Sequence, residues 1–228
     1  MRLLYEAIAW LFTPGHWVGS SGIGMRIWEH LGIYLLALVL AAMLAIPLGL
    51  IIGHARRGSG IMGALTGAAR SIPTLGLLTL FGLWFGIGMQ APLYALVILA
   101  LPSLLAATYS GVHAIDPSIP LAARAIGMSP LQVLRSVEIP LALPTIVGGI
   151  RAASIQIVAT ATLAAYTADL GLGRFLFIGL KTRDYAQMLG AALLVTLIAL
   201  LIEVLLGAAQ RYATRKARPH SSTGKATP

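Results

Sequence analysis

Five stretches of this chain, 31–53, 71–88, 93–112, 141–166 and 186–210, are largely apolar and about as long as a bilayer is thick. A helix crossing the hydrocarbon core needs roughly 20 such residues, because inside lipid the backbone N–H and C=O groups must satisfy one another. Composition agrees, since 58% of the 228 residues are hydrophobic and only 10% are charged, against about half and a quarter in a soluble domain. The expected fold class is all-α, a polytopic membrane helix bundle with about five core spans. The second run is the shortest, and Pro73 places a kink or a boundary at its start.

The net charge of +9 does not point to nucleic acid, because the basic residues form no stripe interleaved with exposed aromatics. They cluster beside the apolar runs, where lysine and arginine orient membrane helices. With the N-terminus outside, Arg56, Arg57, Arg70, Arg124, Arg135 and the basic residues after Gln210 all fall in the cytoplasm, and only Arg2, Arg26, Arg174, Lys181 and Arg183 remain outside. This predicts N-out and C-in. With no cysteine, disulfides, thiol catalysis and cysteine metal sites are excluded.

Residues 1–30 are expected to form an interfacial or extracytoplasmic segment. "RLLYEAIAWLF" is too short to span, and Trp10 and Trp17 suit the outer headgroup region. A sixth span through "HWVGSSGIGM" is the alternative, disfavoured by its glycines and serines. The start of the chain has no signal-peptide layout. Residues 211–228 read as a basic, disordered cytoplasmic tail. The pairs Gly49/Gly53, Gly63/Gly67 and Gly82/Gly86 have a spacing that lets helix backbones approach closely.

Between the third and fourth runs the chain interrupts itself with "LAARAIGMSPLQVLRSVEIPLALP". Asp116-Pro117 is a helix start, and Gly127 can take the left-handed cap that ends a helix. Ser129 to Gln132 has capping-box spacing, and the second helix is expected to stop before Pro140. The segment 116–140 therefore reads as two short cytoplasmic helices joined by a turn. A DNA-reading pair fails, because neither helix has a polar recognition face and both ends are tethered to membrane. A simple connector or a docking knob for a soluble partner remain open.

Here the residues resemble a family. "AARAIG" followed by "VEIP" is similar to the EAA loop of ABC importer permeases, with Ala122, Ala123, Gly127, Val137, Ile139 and Pro140 at matching positions. The family's leading Glu is Leu121 here. "RSIPTLGLL", "LPSLLAATYSGV", "ALPTIVGGIRAA" and "TATLAA" look like the osmoprotectant branch (glycine betaine, choline, carnitine), over about residues 31–210. One departure is "ADLGLG" at 168–173, where that branch has a glycine-richer turn.

The resemblance implies a permease subunit of an ATP-driven importer. Its partners would be a cytoplasmic ABC ATPase seated on Ala122, Ala123, Gly127, Ser129, Val137, Ile139 and Pro140, a second permease subunit (identical or not), an extracytoplasmic substrate-binding protein and membrane lipid. No cofactor is expected on this chain, because ATP would be bound by the partner. No Walker A motif is present, and Gly224-Lys225 is followed by Ala, so the chain is not expected to be an enzyme. A permease for another small solute, and a carrier or channel independent of ATP, are the competing readings.

The fourth run is the most polar, and polar groups in spans face cavities or other helices. Tyr109, Ser154, Gln156, Thr160 and Tyr166 are the candidate translocation-path residues, with interhelical hydrogen bonding as the alternative for each. Tyr109, Tyr166, Trp84 and Phe85 could present aromatic faces to a quaternary ammonium, or could anchor helix ends. Arg151 and Glu203 are expected at equal depth, about 10 Å inside their helices, where pairing would offset the burial of each. "GSSG" at 19–22 matches a serine-protease motif by letters, but no histidine lies in any predicted span to activate the serine.

Overall fold

A computed structural model describes residues 1–56, 58, 60, 64, 67 and 71–217. These form an all-helical bundle: α1 (Arg2–Phe12), α2 (Ile23–His54), α3 (Thr74–Phe85), α4 (Gln90–His113), α5 (Ser118–Ala125), α6 (Pro130–Val133), α7 (Ile139–Thr160), α8 (Gly173–Thr182) and α9 (Tyr185–Ala217). A 3₁₀ turn follows α1 at Pro14–His16, and another extends α7 at Ala161–Tyr166. Gly63, Arg57 and Arg70, singled out from the sequence, lie outside the described residues.

Among the described residues, four helices are long and apolar enough to cross a membrane: α2, α4, the continuous helix Pro130–Tyr166, and α9. The second expected span is represented by α3, whose 12 residues reach only about 18 Å at 1.5 Å per residue. Pro73 precedes it, and Gly86 ends it with φ at +78°.

The core is a seam between α2, α4 and α7, built from Ile33, Ala37, Ala41, Leu96, Ala100, Leu104, Ala153 and Ile157. Alanine dominates because lipid offers apolar side chains nearly the same environment as the bundle, so helix association depends on close backbone approach. α2 and α4 approach closely at Gly49 and Gly53. A Cβ added at Gly49 would meet the Thr108 Cβ at 2.7 Å, and one at Gly53 the Val112 Cβ at 2.8 Å. Gly82 approaches Thr167 instead, at 3.0 Å.

Four expectations need correction. The helix that carries the first span begins at Ile23, not near residue 31, so residues 23–30 of the expected interfacial segment belong to α2. The cause lies far away in sequence: Arg26 and Glu29 in its first two turns bind Asp169 and the Gly171 N–H, and His30 Nε2 bonds the Val158 carbonyl at 3.1 Å. α1 remains a separate short helix, with Ala7 fully buried and Trp10 edge-on to Phe175 at 5.3 Å.

The second helix of the cytoplasmic pair does not stop at Pro140. It runs on through a π-helical turn, Leu134–Glu138, into α7. The Ile139 N–H reaches back to the Leu134 carbonyl, an i→i−5 bond. That widened turn precedes Pro140, whose missing N–H would otherwise interrupt the ladder. Likewise, α9 extends to Ala217, so Arg211–Ala217 is helical and not part of a disordered tail. Finally, α8 was not expected. It follows the "ADLGLG" turn and packs on α9, with Gly179 against Met188.

Candidate coupling surface and translocation path

Pairing of the two short helices is set by local chemistry. Asp116 Oδ1 accepts the Ser118 N–H at 2.9 Å, which starts α5 one residue later than Asp116-Pro117 implied. This hydrogen bond holds the Asp116 carboxyl below its ordinary pKa. α5 closes on Gly127, at φ +95°. The Met128 N–H bonds the Ala123 carbonyl and the Gly127 N–H bonds the Arg124 carbonyl, the paired bonds of a Schellman cap. α6 then opens with a reciprocal capping box: Ser129 N–H to Gln132 Oε1 at 2.8 Å, and Gln132 N–H to Ser129 Oγ at 3.4 Å.

The residues expected to seat an ATPase divide by exposure. Ala122, Gly127, Ser129 and Pro140 are exposed, Val137 and Ile139 half-buried, and Ala123 is buried against the bundle. Ala123 therefore supports the pair from beneath and forms no outer surface. The exposed apolar residues are Ile119, Leu121, Ile126 and Leu131, with Ile126 82% exposed. Exposed apolar side chains of this size are what a protein-binding or a membrane-facing surface presents.

Beneath the pair lies a network absent from the sequence reading. Glu138, in the π-turn, is 2% exposed. A carboxylate only accepts, so His54 Nδ1–H donates to Glu138 Oε2, at 2.6 Å. His54 Nε2 then accepts from Arg124 Nη2 at 3.4 Å. Arg56 Nη2 donates to the Ile115 carbonyl at 2.7 Å. The end of α2, the last turn of α5 and the start of the fourth span are thus joined around a cavity of about 270 Å³ lined by His54, Arg56, Pro120, Leu121, Arg124 and Glu138. The available signal was an acid at the membrane edge of the loop, but its partner is 84 residues away.

The candidate path residues do not converge. Ser154 is fully buried and receives the Tyr34 hydroxyl at 3.3 Å, an interhelical bond between α2 and α7. Tyr109 is buried and stacked on His113. Gln156 accepts from Ser103 at 3.4 Å. Thr160 is half-buried, and Tyr166, 57% exposed, lies tilted against Phe177. Trp84 and Phe85 stack on each other at the exposed end of α3.

Arg151 and Glu203 are brought together across α7 and α9. Arg151 Nε donates to Glu203 Oε1 at 2.7 Å, its Nη2 contacts the same oxygen, and Nη1 donates to Gln210 Oε1 at 2.9 Å. At the opposite end of the bundle, Arg26 bridges Glu29 and Asp169, and Arg174 also holds Asp169, at 2.9 Å. Glu29 accepts the Gly171 N–H at 2.8 Å, so the "ADLGLG" turn is fixed by two charged groups of distant origin and by the adjacent Arg174.

Residues 45–219, which include both helices of the pair and the network beneath them, match the family described as binding-protein-dependent transport system inner membrane component. The chain belongs to this family. The permease is 32% identical over 189 residues to a choline transport system permease protein of Bacillus subtilis, covering 83% of this chain and 87% of that one. A glycine betaine/carnitine/choline transport system permease protein of the same organism is 34% identical over 188 residues (82% and 87%). An osmoprotectant import permease protein of Salmonella typhimurium is 34% identical over 194 residues (82% and 90%). Among solved structures, a chain of an inward-facing MetNI methionine ABC transporter superposes with a TM-score of 0.72 at 24% identity, covering 85% of this chain and 96% of that one. That likeness extends the fold assignment only. The permease is a multi-pass inner-membrane protein.

Proposed function

We propose that the permease moves a quaternary ammonium osmoprotectant, such as glycine betaine, choline or carnitine, into the cell as one of two membrane units of an ABC importer. The observation that carries this reading is the set of relatives above 30% identity, each a permease for choline, carnitine, glycine betaine or an osmoprotectant, over more than four-fifths of the chain. ATP is hydrolysed on a separate cytoplasmic subunit docked on α5 and α6, and solute is delivered by a separate binding protein. The excess of lysine and arginine at the end of α5 and α6 supports a cytoplasmic placement of that end and of the C-terminus.

The mechanism follows from the joints. When the ATPase closes, the exposed faces of α5 and α6 move with it. α6 is continuous with the fourth span through the π-turn, and Arg124, His54 and Glu138 tie the same unit to α2. A displacement of the pair therefore reaches two spans at once. A lever of this kind couples only if its contacts differ between the two ATPase states. The translocation path lies between the two membrane units, which accords with Ser154 and Tyr109 being buried inside one.

Uptake of labelled glycine betaine, choline and carnitine by the reconstituted complex tests this. ATP-dependent accumulation of at least one, abolished when the ATPase is omitted, is expected. Accumulation without the ATPase would establish a carrier, and ATP-dependent uptake of an unrelated solute alone would reassign the cargo.

A further inference from the structure

Where α7 and α9 meet at the coupling end, a cavity of about 310 Å³ is lined by Arg151, Gly207, Gln210, Arg211, Thr214 and Arg215. No carboxylate lines it. Arg151 is already neutralised by Glu203, so the uncompensated charge comes from Arg211 and Arg215, one helical turn apart on one face of α9. Among the described residues, neither makes a salt bridge or a side-chain hydrogen bond with this chain. Two exposed guanidinium groups beside a concavity are a receptor for a phosphate group, which accepts bidentate N–H donation.

The same face of α9 shows which phosphate. Leu197, Leu201 and Val204 precede Arg211 and Arg215 at spacings of four, three, seven and four residues, and the three apolar side chains are 53%, 55% and 64% exposed. An exposed apolar stripe on a spanning helix thus runs directly into the two arginines, so acyl chains laid along the stripe would bring a headgroup phosphate to the cavity. A free phosphate ion has no use for the stripe. Basic pockets between spans near the membrane surface hold anionic headgroups for this reason.

We propose that this cavity binds the headgroup of an anionic phospholipid, with Arg211 and Arg215 as the phosphate ligands and the leucine stripe beside the acyl chains. The next residue of α9, Lys216, lines a second groove with Ser136 and Val137 of the π-turn and with Pro140. The inference rests on membrane placement and not on the identity of the solute.

The test uses the permease purified in detergent, titrated with phosphatidylglycerol, phosphatidylcholine or inorganic phosphate, with bound lipid read by native mass spectrometry. Phosphatidylglycerol should bind in preference to phosphatidylcholine and should not be displaced by millimolar phosphate. The double variant Arg211→Gln/Arg215→Gln should weaken phosphatidylglycerol binding on the order of fivefold per arginine, about 25-fold in all, with phosphatidylcholine unchanged. Both side chains are exposed, so helix content should be preserved, and circular dichroism checks it. Equal phosphatidylglycerol binding by parent and double variant overturns the proposal. So does displacement by phosphate alone, which would make the ligand a soluble anion. A variant that keeps lipid but loses ATPase association would assign the arginines to an acidic protein surface and overturn it equally.

Discussion

His54 Nδ1 lies 2.6 Å from the Glu138 carboxylate, joining the last residue of the first span to the π-turn that leads into the fourth. Glu138 is 2% exposed, and His54 is its side-chain partner among the described residues. Glu138→Ala should leave His54 without its acceptor and destabilise the permease by about 1–3 kcal/mol. Glu138→Gln, which keeps an acceptor oxygen, should retain most of the melting temperature in detergent. If the joint serves coupling, the Gln variant will still hydrolyse ATP in the complex but import less solute per ATP. An unchanged ratio would restrict Glu138 to a structural role.

Gly127 holds φ +95°, and a Cβ there would meet nothing within 4 Å. The penalty of Gly127→Leu is therefore conformational, on the order of 1 kcal/mol at the cap, with no clash inside the chain. Abundance should stay near parental while ATPase association and uptake fall severalfold. Gly32→Leu is the matched control, being in a helix with open space around it. Gly111→Leu is unsuitable, because its Cβ would press on Thr145 at 3.0 Å and on Ala142. Parental uptake by the Gly127 variant, measured in vesicles, would reduce the pair to a connector.

Close approach of α2 to α4 predicts the reverse pattern at Gly49. A Leu there must displace Thr108, against a contact already closed at 2.7 Å, and overpacking of this kind costs about 1–3 kcal/mol or more. Gly49→Leu should lower the amount of folded permease recovered from membranes, whereas Gly32→Leu should not. Equal recovery of the two, by fluorescence-detected gel filtration, would contradict the packing.

Asp116 gives a pH expectation. Its native pKa is depressed by the Ser118 hydrogen bonds, so its contribution is complete above the ordinary carboxylate pKa and is lost as pH falls through the lower native value. ATPase association should therefore be flat from pH 6 to 8 with respect to this group. Asp116→Asn, which retains an acceptor for the Ser118 N–H, should leave association near parental throughout that range. A parental pH profile that rises across this interval and flattens in the Asn variant would contradict the assignment.

Much of the bundle was legible because apolar runs of bilayer length have few folded alternatives, and because Ser129…Gln132 and Gly127 carry their structural roles locally. What escaped the sequence was non-local. α2 starts early because Arg26 meets Asp169 and His30 meets Val158, each more than 120 residues away. Pro140 did not end its helix because the π-turn before it had already redirected the backbone bonds. Among the site residues, Ala122 and Gly127 are exposed as a docking surface requires, while Ala123 is turned inward by the helical phase of α5. The Arg124–His54–Glu138 network could not be read at all, because its three members belong to elements whose contact only the fold creates.

The chain contains no cysteine, so a single Ile126→Cys, at a position 82% exposed on the outer face of the pair, reports on the docking surface alone. In the isolated permease this thiol should react rapidly with maleimide. On assembly with the ATPase the rate should fall at least tenfold, with a Gly32→Cys control unchanged in the same vesicles. Protection of Ile126→Cys that depends on the ATPase is the predicted result. Equal labelling before and after a demonstrated assembly would show that α5 and α6 do not carry the ATPase.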